Sequence, residues 1–191
     1  MASGADALGF NFYKRSARYI SPEKAAEICA KVPAFVTTVG LFVNEPLVDV
    51  NRILREVRLG LLQFHGDETP EYCESLGYPY MKALRATRGD QIKEEAQSFE
   101  SSQGILVDTA TDGQFGGTGK TFDWSLLPDL GQPLVLAGGL VAANVGAAIA
   151  ATHPYAVDVS GGVERSKGVK DMAEMKKFVE AVRAADRSSN E

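Results

Sequence analysis

Short apolar and β-branched runs recur along the chain, and after most of them come a turn and a stretch whose apolar residues return at helical spacing. The first run spans residues 5–12 and leads into the polar, basic turn Tyr13-Lys-Arg-Ser-Ala-Arg18. Ser21-Pro22 supplies an N-cap and a proline for the first helical turn, which predicts a helix to about residue 31, ahead of Pro33. Residues 35–43 are apolar almost throughout, as in a strand covered on both faces. Pro46 opens a second helix with Leu47, Val50, Ile53, Leu54 and Val57 along one face. Leu61-Leu-Gln-Phe64 is a short strand ending in His65-Gly66-Asp67, and Thr69-Pro70 caps a helix through Leu76. Residues 80–84 and 105–107 read as strands on either side of a helix over residues 90–99. Trp124 starts a short helix, residues 134–137 and 156–159 are further strands, and helices are predicted over residues 142–151 and 171–185.

Strand and helix thus alternate seven times with short connections, which predicts a parallel sheet covered by helices. Either an open doubly wound sheet or a barrel fits that plan, and glycine placement separates them. The pairs Gly138-Gly139 and Gly161-Gly162 directly follow the last two strands, where (β/α)8 barrels cradle a phosphate with backbone N–H groups. A doubly wound sheet would carry G-x-G-x-x-G after the first strand of a unit, and that spacing does not occur. The expected class is therefore α/β, a (β/α)8 TIM-barrel type with seven βα units, one short of a closed barrel. Residues 1–191 are expected to form one domain, with residues 186–191 frayed.

Composition narrows the function. A 191-residue chain that is 45% hydrophobic suits a single core. Its net charge of −5 and pI near 5.2, with no basic block, argue against nucleic acid or an anionic membrane as partner. No apolar run approaches the ~20 residues of a spanning helix, and residues 1–6 have no signal-peptide character, so a cytoplasmic protein is expected. Cys29 and Cys73 lack metal-ligand spacing and fall in predicted helices, as reduced thiols would. His65, Asp67 and His153 make a poor metal set, and no metal is expected.

The candidate chemistry lies at the strand ends. Asp108 closes its strand where catalytic acids of parallel sheets sit, and the tetrad Gly116-Gly-Thr-Gly119 follows it. Gly119-Lys120-Thr121 is not a nucleotide loop, because that motif needs a glycine where this chain has Gln114.

Seven stretches stand out in order: Gly4-Ala-Asp-Ala-Leu-Gly-Phe10, Ser16-Ala-Arg-Tyr-Ile-Ser-Pro22, Val39-Gly-Leu-Phe-Val-Asn44, Gln63-Phe-His-Gly66, the stretch from Asp108 to Trp124, Leu136-Ala-Gly-Gly139 and Val157-Asp-Val-Ser160. Together they resemble the phosphoribosylanthranilate isomerase family of tryptophan biosynthesis. The resemblance places Asp108 on the family's general acid and Arg18 on the arginine that holds the anthranilate carboxylate. Asp158 falls on a substrate-binding aspartate, and Gly138, Gly139, Ser160, Gly161 and Gly162 fall in the phosphate cradle, where Gly161 replaces the family's serine. His65, at a strand end, is a candidate to line the same pocket. The implied reaction is an Amadori rearrangement of a small phosphosugar–anthranilate substrate, with no cofactor. Family members begin with a strand carrying a Lys-Ile-Cys-Gly-Ile-Thr-like motif whose cysteine is the general base. That motif and the helix after it have no counterpart in residues 1–191, so roughly twenty residues are expected to be missing upstream of Met1 on the one-unit pattern. Three readings follow: an isomerase whose gene product is longer, a catalytically impaired fragment that at most binds the phosphosugar, and another phosphosugar barrel such as an epimerase or indole-glycerol-phosphate synthase.

Overall fold

The computed structural model describes residues 3–85, 89–108 and 124–188; the Gly116–Gly119 tetrad and Lys120 lie outside the described residues. The chain divides into two compact units, one of Ala5–Ala83 with Ser101–Gln103, the other taking in Gly4, Leu84–Glu100 and the chain from Gly104 onward.

In the first unit β1 (Ala7–Asn11), β2 (Thr37–Phe42), β3 (Leu61–Phe64) and β4 (Tyr80–Arg85) pair in chain order, each parallel to the next. Parallel strands require crossovers, and helices α1 (Pro22–Cys29), α2 (Leu47–Glu56) and α3 (Pro70–Ser75) supply them. Their starts lie where the sequence marks them. The Ser21 hydroxyl accepts the Lys24 N–H at 3.3 Å and the Thr69 hydroxyl the Tyr72 N–H at 3.3 Å, each with proline at the first helical position. On α2, Val50, Ile53 and the following Val57 are buried. The strand ends carry a row of aromatic rings: Phe12 stacks on Phe42 at 5.3 Å between centroids, and Phe64 lies 6.2 Å from Phe42 and meets the edge of Tyr72 at 5.6 Å. Each such ring contributes about 1.5–3 kcal/mol by burial beneath the strand-end loops.

The second unit holds α4 (Gly89–Gln97), β5 (Ile105–Asp108), a 3-10 turn at Trp124–Leu126, β6 (Leu134–Ala137), α5 (Val145–Thr152), β7 (Ala156–Val157), a 3-10 turn at Gly161–Val163, strands β8 (Glu164–Ser166) and β9 (Val169–Lys170), and α6 (Met172–Ser188). β5, β6 and β7 pair parallel in that order. Leu136, Val145, Ala148, Ile149, Val163 and Phe178 form its apolar core between β6, α5 and α6.

Five details differ from the sequence reading. Phe35, read as the first residue of a strand, is fully exposed with φ of 67°, and β2 begins two residues later. The expected four-residue strand over 156–159 is two residues long. Helix α5 begins at Val145 because the Asn144 side chain engages the backbone of the preceding turn. Helix α6 continues through residues 186–188, which were expected to fray; residues 189–191 lie outside the described residues. The antiparallel β8–β9 hairpin was not anticipated, since its strands are short and polar, although Gly168 at φ of 83° marks its turn.

Candidate functional site

In the first unit the loop after β1 is held by its own polar groups. Asn11 Oδ1 accepts the Tyr13 N–H at 2.9 Å, and Asn11 Nδ2 donates to Ser16 Oγ at 3.3 Å. The same Ser16 oxygen accepts the Arg18 N–H at 3.1 Å, and the Ile20 N–H returns to the Asn11 carbonyl at 2.9 Å. Arg18 is thus set, half-buried, at the carboxyl end of β1 by a serine and an asparagine that the sequence reading did not single out.

His65 directly follows β3. Its N–H donates to the Phe42 carbonyl at 2.9 Å, and its Nδ1 lies 3.0 Å from Nε2 of the buried Gln63. Around it lies a polar cluster built on Lys82, a residue of unassigned role in the sequence. In register Phe42 pairs with Phe64 and Phe64 with Lys82, which brings Lys82 under the β3 loop. Lys82 Nζ meets Glu68 Oε2 at 3.0 Å, with side-chain exposures of 4% and 1%. Asn44 N–H donates to Glu68 Oε1 at 2.7 Å and Gly66 N–H to Oε2 at 2.8 Å, so a buried charge pair is also hydrogen-bonded, as low-dielectric surroundings demand. No sequence spacing marks Glu68 as the partner.

In the second unit Asp108 ends β5, half-buried and in register with Ala137, the last residue of β6. Asp158 is the first residue past β7, and its N–H donates to the Leu136 carbonyl at 2.8 Å. Both acids therefore stand at the carboxyl end of the strands. Gly138 and Gly139 follow β6 with φ of 88° and 64°, left-handed values that suit glycine. Asn144 closes their turn, its Oδ1 accepting the Val141 N–H at 2.8 Å and its Nδ2 donating to the Gly139 carbonyl at 3.1 Å. The loop after β7 lies against this turn: a Cβ on Gly162 would overlap the Leu140 carbonyl oxygen. Lys170 on the unanticipated hairpin then ties the second loop down, donating to the Ser160 carbonyl at 2.8 Å and to Glu164 at 3.1 Å. The two glycine loops therefore meet, Gly162 against the Leu140 carbonyl.

The cysteines stand apart from this chemistry. Cys29 ends α1 with its thiol pKa raised by burial, and Cys73 is fully buried on α3 with its pKa pushed by burial to about 12. Neither offers a thiolate at neutral pH. Among the described residues no three His, Cys, Asp or Glu side chains are grouped to hold a metal, and His153 is an exposed left-handed residue ending α5. Among them, too, no helix is long and apolar enough to cross a membrane.

Parallel strand–helix units with acids and glycine loops gathered at the strand carboxyl ends define an α/β enzyme of the TIM-barrel type. A family model described as N-(5'phosphoribosyl)anthranilate (PRA) isomerase matches residues 1–181. The N-(5'-phosphoribosyl)anthranilate isomerase of Pseudomonas putida is 54% identical over 184 residues, 96% of this chain and 89% of the relative. The crystal structure of the Thermotoga maritima phosphoribosyl anthranilate isomerase aligns with a TM-score of 0.87 at 42% identity, covering 95% of this chain and 90% of that one. A phosphoribosyl anthranilate isomerase in complex with reduced 1-(o-carboxyphenylamino)-1-deoxyribulose 5-phosphate aligns at 0.81 and 37%, covering 95% and 89%. The chain belongs to the phosphoribosylanthranilate isomerase family.

Proposed function

We propose that the chain acts on N-(5-phosphoribosyl)anthranilate, converting it to 1-(2-carboxyphenylamino)-1-deoxyribulose 5-phosphate by an Amadori rearrangement in tryptophan biosynthesis, in the cytoplasm. The observation that carries this reading is the apposition of the two glycine loops, Gly162 against the Leu140 carbonyl, beyond strands that also carry Asp108 and Asp158. Backbone N–H groups presented by Gly138, Gly139, Ser160, Gly161 and Gly162 suit a phosphate dianion, since they supply donors without side-chain desolvation. Arg18 suits the anthranilate carboxylate because its guanidinium pairs two oxygens at once. Asp158 and His65 bind the sugar portion as polar partners.

Asp108 is the proposed general acid. Protonation of the ribose ring oxygen makes it a leaving group, the C1–O bond breaks, and the nitrogen lone pair forms a C1=N iminium. A base then removes the C2 proton, and the C2–H electrons neutralise the iminium to give an enolamine that tautomerises to the aminoketose. The carbons exchange oxidation level within one molecule, so the balance needs no external oxidant. The family resemblance assigns the base to a cysteine whose motif has no counterpart in residues 1–191, and Cys29 and Cys73, each on a helix with a raised pKa, do not replace it. Loss of substrate fluorescence in the presence of a coupled indole-glycerol-phosphate synthase tests the activity. Decay is expected of the chain joined to the family's cysteine strand and little or none of residues 1–191 alone, and a folded protein that leaves the substrate unchanged with the cysteine supplied while turning over a different phosphosugar would sink this reading.

A further inference from the structure

We propose that Lys82 and Glu68 are positioning residues that fix the His65 imidazole for the phosphosugar substrate, an inference that rests on the reading just given. Lys82 Nζ donates to the Phe64 carbonyl at 3.4 Å and to the Gly66 carbonyl at 2.5 Å, the residues on either side of His65. One ammonium thus holds the carbonyls of both residues that flank His65. Glu68 completes the hold, taking the Gly66 N–H on the oxygen that also meets Lys82 and the Asn44 N–H on the other. His65's own N–H is committed to the Phe42 carbonyl.

The ring is set from a second side. Gln63 presents its amide nitrogen to Nδ1 at 3.0 Å, a contact that fixes the ring plane against the buried strand. The imidazole is thereby held on its Nδ1 side as well as through the backbone on either side of it. A buried ion pair is a poor device for stability, because apolar residues of the same volume often serve as well. What this pair provides, and apolar residues would not, is directed hydrogen bonds to the carbonyls around His65. Binding constellations need such support to hold their geometry.

Calorimetric titration with reduced 1-(o-carboxyphenylamino)-1-deoxyribulose 5-phosphate, alongside thermal unfolding, tests the proposal on the parent, Lys82→Met/Glu68→Gln, His65→Ala and the triple variant. The charge-balanced double variant is expected to fold and to bind about tenfold more weakly, as His65→Ala does. The triple variant is expected to lose about tenfold rather than a hundredfold, because both changes remove one interaction. Lys82→Arg, whose planar fork cannot meet the same three acceptors, is expected to show the same non-additive loss if the double variant fails to fold. Parental affinity in a folded Lys82 variant, or losses that multiply with that of His65→Ala, would overturn the proposal alone. A folded parent that does not bind the analogue would overturn the functional reading itself.

Discussion

Replacing Asp108 with asparagine, in the chain joined to the family's cysteine strand, is expected to lower turnover by about 10²- to 10⁴-fold, the usual worth of a general acid. Asparagine keeps the shape of the side chain at the end of β5 and can still accept hydrogen bonds, but it has no acidic proton to give the ribose ring oxygen. Binding should survive, since the phosphate and carboxylate of the ligand are assigned to other groups. The prediction is therefore a split: the rate falls while affinity for the reduced analogue stays within about threefold, which distinguishes a lost proton from a lost contact. Steady-state rates and calorimetry on the same preparation provide both numbers. An Asp108→Asn protein that turns over at the parental rate would remove Asp108 from the mechanism.

The second large effect is on stability. Truncating either Lys82 or Glu68 alone, as Lys82→Met or Glu68→Ala, is expected to cost about 3–5 kcal/mol, because each leaves the other's charge buried without its counter-ion. The comparison lies on the same unit: Lys24 and Glu27 pair at 2.7 Å but are 63% and 62% exposed, and such a screened surface pair adds little. Urea unfolding of Lys82→Met and Lys24→Met should separate them clearly. Equal midpoints would mean that water reaches the Lys82 pair and that its burial has little energetic meaning.

Strand–helix alternation was legible because its signals are local. Ser21-Pro22 and Thr69-Pro70 carry their helix starts within three residues, and the run at Ile105–Asp108 has no other use for its apolar side chains than burial. The acids and glycine pairs were legible for the same reason, each being tied to the end of a strand. What escaped depends on contacts between distant residues. Glu68 and Lys82 are separated by a whole helix, and only the register of β3 with β4 brings them together. Asn144 reads as an ordinary residue of an alanine-rich helix, yet its side chain serves the glycine turn before that helix. The β8–β9 hairpin lacks the apolar alternation that announces a strand, and Lys170 gains its role only through the fold. Phe35 misled in the opposite way, an apolar residue in a turn that faces water.

The central claim is that the glycine loops beyond β6 and β7 form a phosphate cradle, and the most direct measurement is titration of the folded chain with reduced 1-(o-carboxyphenylamino)-1-deoxyribulose 5-phosphate and with its dephosphorylated form. Several charge-assisted hydrogen bonds to one dianion should together be worth at least about 10²-fold in affinity. The account predicts saturable binding of the phosphorylated analogue, and a loss of about that size either on removing the phosphate or on Gly162→Ala, whose Cβ would drive the second loop off the Leu140 carbonyl. Equal affinity for the two ligands, or parental affinity in a folded Gly162→Ala protein, would contradict it.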